Sequence, residues 1–286
     1  MGKETQQSHV CDLKMDLDAH LLLPQAKSEH HDDGVLYAKL ARWPLYCVAT
    51  GMVTIVITFS VFFGTGMNRD VPVTNGTFVI PTISRTGGKN PTAPVFTIGL
   101  HLAGIQSIVV FFGIFARGEQ FARAAPHSSG AAAIRKWNSR CLYTGLMGAL
   151  GMILTGTFYL SLNPKVHGMC ASVLFLCGLA YCLLHRCFLA RPFAELSRTE
   201  GVGRGGSELT WMAFKSAVCV TALVACVLYT AVLDRIQAAD DCDEDNWCPV
   251  RNWRSVMEYV LAGSLFLYIG GLTHDLRGAV LRCGSA

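Results

Sequence analysis

Apolar residues in this chain gather in long blocks separated by polar stretches, and within the blocks they do not alternate as strand residues would. Residues 96–115, FTIGLHLAGIQSIVVFFGIF, carry no formal charge and a single histidine, His101. A helix that crosses a bilayer needs about 20 predominantly apolar residues. Six blocks reach or approach that length: residues 45–67, 96–115, 141–162, 168–184, 209–233 and 255–272. Backbone amides in lipid must pair within their own segment, so each block is read as an α-helix. The expected fold is therefore all-α: a polytopic membrane protein whose six helices form one bundle over residues 45–276. Residues 1–44 form a flexible tail, and residues 277–286 a second, short one. The first 30 residues lack a charged-then-apolar pattern, so the first span is expected to act as its own signal anchor.

Composition agrees with the blocks. Hydrophobic residues make up 51% of the chain and charged residues 15%, whereas a soluble domain carries about a quarter charged. The net charge of +4 is scattered. With no basic patch interleaved with aromatics and no glycine-rich phosphate loop, nucleic acid is excluded as a partner and no cofactor is implied. Three histidines of the N-terminal tail, His20, His30 and His31, stand in "SEHHDD" and nearby without metal-ligand spacing. No metal site is expected.

Positive charge sets orientation. Sixteen Lys and Arg fall in the two tails and the loops 116–140 and 185–208, against seven in loops 68–95, 163–167 and 234–254. Both termini are thus expected in the cytosol. Asn75, in the sequon Asn75-Gly76-Thr77, then faces the lumen and is a glycosylation candidate. Cys242 and Cys248, in "DDCDEDNWC", also face the lumen, where a local disulfide is expected; the alternative is two free thiols. "APHSSGAAA" and "EGVGRGG" are read as flexible cytosolic connections. Gly145, Gly148, Gly151 and Gly156 in the third span, and Gly263, Gly270 and Gly271 in the sixth, are expected to let helix backbones approach closely.

Ionisable groups inside spans are expensive unless they face the bundle interior or water. Lys215, one turn into the fifth span, is expected to snorkel to the cytosolic interface. His101 and Glu258 lie about one turn in from the luminal ends of the second and sixth spans, and His167 sits immediately before the fourth, also luminal. At that depth imidazole and carboxylate suit general acid/base chemistry or a lipid headgroup. The alternative is a hydrogen-bond network that locks three helices together. Asp275, at the far end of the sixth span, is about 26 Å along a helix from Glu258 and cannot share its site.

Three stretches together resemble the Frag/DRAM/Sfk family of six-span membrane proteins. "IPTISRTGGKNPTAPVF" carries the family's I-S-x-x-G-x-x-x-P spacing on Ile83, Ser84, Gly87 and Pro91. "KVHGMCASVLF" places His167 where the family has a histidine opening the fourth span. "MEYVLAGSLFLYIGGLTHDL" matches a glutamate–aromatic pair, Glu258 and Tyr259, followed by Asp275. The resemblance runs from residue 41 onward. "FTIGLH" is similar to the post-GPI-attachment branch, which has I-G-L-H here, although Leu276 stands where relatives often carry an aromatic.

That branch implies a role in GPI-anchor lipid remodelling in the Golgi or endoplasmic reticulum, supporting reacylation of lyso-GPI at the luminal leaflet. His101, His167 and Glu258 would then meet a lipid headgroup, as an acyl-transfer site or as a presenting pocket for a separate transferase. Ser84 is a weak candidate nucleophile. Other branches, lysosomal autophagy modulators and plasma-membrane proteins that assist phosphoinositide-kinase recruitment, imply a non-enzymatic scaffold instead. Its protein partner would bind the cytosolic tail and loops.

Overall fold

The computed structural model describes residues 36–66, 80–124, 126–127, 129–199, 205–238, 249–276 and 280–283. Helix dominates: α1 (Trp43–Gly64), α2 (Ile83–Thr86), α3 (Thr92–Ala124), α4 (Ser129–Thr157), α5 (Pro164–Leu184), α6 (Ala190–Thr199), α7 (Gly205–Ala238) and α8 (Pro249–Asp275). Among the described residues, five stretches are long and apolar enough to cross a membrane: Leu40–Gly64, Thr92–Arg123, Pro164–Ala194, Leu209–Ala231 and Asn252–Asp275. The protein is a multi-pass integral membrane protein. α4 takes in residues 141–157 of the third expected block, which ends at 162, and falls short of the others. Its first half is charged, with Arg135, Lys136 and Arg140, and its second half is diluted by glycine and threonine.

The helices close into a ring in the order α1, α3, α4, α5, α7, α8, with α8 returning to α1 and α5 also touching α8. Large apolar side chains such as Val53, Ile57, Leu102, Val224 and Val227 remain exposed on the outside, as expected of surface that faces lipid tails. Glycine lets α4 and α5 meet almost backbone to backbone. A Cβ on Gly151 would lie 2.6 Å from the Leu174 amide nitrogen, and one on Gly148 3.3 Å from that of Gly178. The expectation for Gly263 is corrected: nothing lies within 4 Å of a Cβ there.

Several expected loops are helical. α3 continues to Ala124 and α4 begins at Ser129, so the connection read from "APHSSGAAA" shrinks to a few residues. Buried polar contacts hold the two helix extensions together. Asn138 donates to the Phe115 carbonyl at 2.8 Å and to Glu119 Oε1 at 2.9 Å. Past Leu184 the fourth span runs on through a π-helical turn, His185–Leu189, into α6. Trp137 of α4 stacks on Phe188 of that turn with ring centroids 3.9 Å apart. Part of each tail expected to be flexible is instead ordered, because the two tails pair with each other: Leu36–Lys39 runs antiparallel with Val280–Cys283, Leu36 opposite Cys283.

Packing is uneven along the bundle axis. The largest fully buried side chains, among them Phe121, Ile114, Ile134, Leu189, Tyr268 and Leu272, all cluster towards the end of α8 that carries Asp275. The Glu258 end is hollow.

Candidate functional site

The hollow begins with the segment before α3. Thr82 caps α2 by accepting from the Arg85 amide, and α8 holds this segment at several points. The Ile80 amide donates to Asn252 Oδ1 at 2.8 Å, and Ser255 donates to the Ile80 carbonyl at 2.7 Å. The Tyr259 hydroxyl donates to the Pro81 carbonyl at 3.0 Å. Glu258 Oε1 accepts from the Ser84 amide at 3.3 Å and from the Ser84 hydroxyl at 3.2 Å. Ile83 is buried against Phe96 and Ala262. A Cβ on Gly87 would strike the Phe96 ring at 2.3 Å, so the chain passes there only as glycine. Pro91 follows a cis peptide bond. The isoleucine–serine–glycine–proline spacing and the glutamate–tyrosine pair are thus two halves of one interlock.

Between this segment, α5, α7 and α8 lies a cavity of about 640 Å³. His167 and Glu258 both line it, with Ser84, Arg85, Tyr229 and Arg254. Each histidine and carboxylate owes its place to local structure. Asn163 caps α5 by accepting from the Val166 amide, which sets His167 in the first turn. The His167 ring is buried, and its Nδ1–H donates to the Phe158 carbonyl at 2.8 Å. That bond leaves Nε2 as the nitrogen with the lone pair; Nε2 is itself buried, and the Thr155 backbone also lies against the ring. Glu258 is 5% exposed. Its carboxylate is held by Ser84, so Ser84 partners an acid and not a histidine.

His101 is elsewhere. It is not on the cavity wall but sits between α3 and α4, Nδ1 2.7 Å from the Thr97 carbonyl and Nε2 3.1 Å from the Thr157 hydroxyl. Thr97 adds a bond to the Gly156 carbonyl at 2.8 Å. Of the three candidates, the fold brings two to one cavity and uses the third to fasten two helices. Asn75, Cys242 and Cys248 lie outside the described residues.

A second, narrow cavity of about 80 Å³ adjoins the first, sharing Ser84, Ala171, Phe175 and Glu258 in its wall. It runs inward between apolar residues of α1, α3, α4, α5 and α8 as far as Ser107, Phe111 and Tyr181.

The opposite end of the bundle holds a group the sequence did not reveal. Lys215, expected to snorkel, is 2% exposed and ion-paired with Asp275. The correction has a simple cause: α8 offers a carboxylate beside the amine, so the charge is compensated inside the bundle. His185 Nε2 lies 3.8 Å from the same carboxylate, and its Nδ1 bonds the Tyr268 hydroxyl at 2.9 Å. The signal for His185 was the apolar run "CLLHRCFLA", which continues past the charge that seemed to end the fourth span. Arg254 could have been found from its position one turn before Glu258 on the same helix face.

No curated protein and no solved structure matches the chain. The interlock of Ser84 with Glu258 and of Pro81 with Tyr259 joins stretches that lie within a single family match over residues 41–279, and the chain belongs to that family, described as the Frag1/DRAM/Sfk1/Cwh43P N-terminal domain.

Proposed function

We propose that this protein acts in GPI-anchor lipid remodelling, supporting reacylation of lyso-GPI at the luminal leaflet of Golgi or endoplasmic-reticulum membranes. The observation that carries the reading is the 640 Å³ cavity onto which His167 and Glu258 converge from distant parts of the chain. A lipid-modifying site needs a proton acceptor beside a chamber for the headgroup. His167 supplies the acceptor through Nε2, and Glu258 with Ser84 forms the polar edge next to the apolar inner cavity. In the direct form of the reaction, Nε2 takes the proton of the lyso-lipid hydroxyl as that oxygen attacks the acyl donor's carbonyl carbon, and the donor's leaving group departs. No covalent enzyme intermediate is needed.

The reading places six spans across the membrane, α4 included, with both termini cytosolic. The pairing of Leu36–Lys39 with Val280–Cys283 supports an even number of crossings, because it brings the two ends to one face. The charge distribution supports the orientation.

The test is made in cells lacking the protein. Mass spectrometry of GPI-anchored proteins should show lyso or unremodelled anchors, restored by the wild-type chain but not by His167→Gln at equal abundance. Normal anchors in the deficient cells would end this reading.

A further inference from the structure

The ring of helices has one loose seam. Among the described residues, α5 and α7 meet less closely than any other pair of ring neighbours, and α8, which touches both, stands behind the gap. The outward face of α5 carries Met169, Val173 and Leu176, and that of α7 carries Leu223, Val227 and Thr230, all exposed. Each set is spaced by four residues and then three, which lays it along one stripe of its helix. Leu176 and Thr230, the last of each stripe, also line the large cavity. A residue that belongs both to the outer surface and to the cavity wall marks an edge where the two surfaces join. The cavity therefore opens sideways between α5 and α7.

The depth and chemistry of this mouth suit hydrocarbon. Leu176 lies about 18 Å along α5 from Pro164, inside the span Pro164–Ala194, and Thr230 lies inside Leu209–Ala231. Ser172, on the same rim, donates to the Gly168 carbonyl at 2.8 Å, and Thr230 donates to that of Val227 at 2.8 Å. Each hydroxyl hydrogen is bonded within its own helix, so the rim shows lipid no unpaired donor. Towards the Asp275 end the seam is shut by Leu179, Ala222, Ala225 and Leu261, buried against one another. The opening is thus confined to the Glu258 half. The wall behind it is apolar at Phe175, Cys226 and Leu261 and polar at Ser84, His167 and Glu258, which suits an amphiphile. A partner's helix, about 10 Å across, would cap the mouth and leave the space behind it unfilled, whereas a hydrocarbon chain can enter.

We propose that the seam between α5 and α7 is a lateral portal through which one acyl chain of a bilayer lipid passes, with the lipid's polar end seated in the cavity and its tail still in the leaflet. The portal rests on the lipid reading of the cavity given above, and adds to it the route of entry and the residues that form the gate.

The experiment uses the full-length protein in phosphatidylcholine nanodiscs doped with phosphatidylcholine or phosphatidylethanolamine that carries a diazirine midway along one acyl chain. After illumination, adducts are mapped by peptide mass spectrometry. The wild type should be labelled at Glu258 and Leu261, which are 5% and 2% exposed and out of reach of lipid outside the ring. Ser172→Trp combined with Thr230→Trp adds bulk on both exposed sides of the mouth and should abolish those adducts. Val224→Trp, on the outer surface of α7 and off the cavity wall, should keep them. No adducts at Glu258 and Leu261 in the wild type would overturn the portal and leave the gap to a neighbouring helix. Adducts that persist in the doubly plugged variant would also overturn it. Should that variant fail to fold, the wild-type map decides alone. Labelling of Glu258 and Leu261 with normal anchors in deficient cells would keep the portal and remove the GPI role; defective anchors without such labelling would do the reverse.

Discussion

The two ends of the bundle handle buried polarity in opposite ways. At the Asp275 end, Lys215, Asp275, His185 and Tyr268 bond to one another inside a dense shell of aromatic and aliphatic side chains. At the Glu258 end, Glu258, His167, Arg85 and Arg254 line a chamber with room for a ligand. The same residue types act as a brace where packing is complete and are open to a ligand where it is not. A buried polar group by itself is therefore a weak sign of function in this protein; a buried polar group on a cavity is a stronger one.

The comparison breaks most readily at the brace. Lys215→Ala should destabilise the fold by about 3–5 kcal/mol, because it strands the Asp275 carboxylate in the interior. Thermal unfolding in detergent reads this, and the double replacement Lys215→Met with Asp275→Leu should recover most of the loss. Equal melting of Lys215→Ala and wild type would deny the brace. Tyr268→Phe removes one bond to His185 and should cost about 1–2 kcal/mol by the same measurement, since the imidazole loses a buried partner.

His101→Gln sharpens the contrast further. Loss of the Thr97 and Thr157 bonds should cost about 1 kcal/mol, with anchor remodelling in cells kept. Remodelling lost at normal abundance would return His101 to the site. The smallest stability effect is expected for Glu258→Gln, about 1 kcal/mol or less, because the amide oxygen still accepts from Ser84. Remodelling should nonetheless fail, with abundance unchanged; a fall in abundance instead would make the Glu258 end a second brace.

Much of this contrast was hidden in the linear pattern. The resemblance of "IPTISRTGG" and "MEY" to family motifs was legible, yet their mutual contact was not. Arg85 and Arg254 read as ordinary loop charges near helix ends. Asn138 and Arg117 lay in a stretch taken for a cytosolic loop, and both are buried in helices that outrun the apolar blocks.

What the sequence by itself determined was membrane residence and the helical class. Those follow from local properties, because lipid demands unbroken apolar length and internal backbone bonding wherever the chain crosses. The tertiary structure alone decided that His167 and Glu258 share a cavity, that His101 ties α3 to α4, and that Lys215 finds Asp275. Successive residues on a helix point about 100° apart, so a small rotation of one helix carries a side chain from cavity to lipid. That rotation is fixed by the neighbouring helices, by the glycines that bring α4 onto α5 and the interlock that seats residues 80–84 on α8.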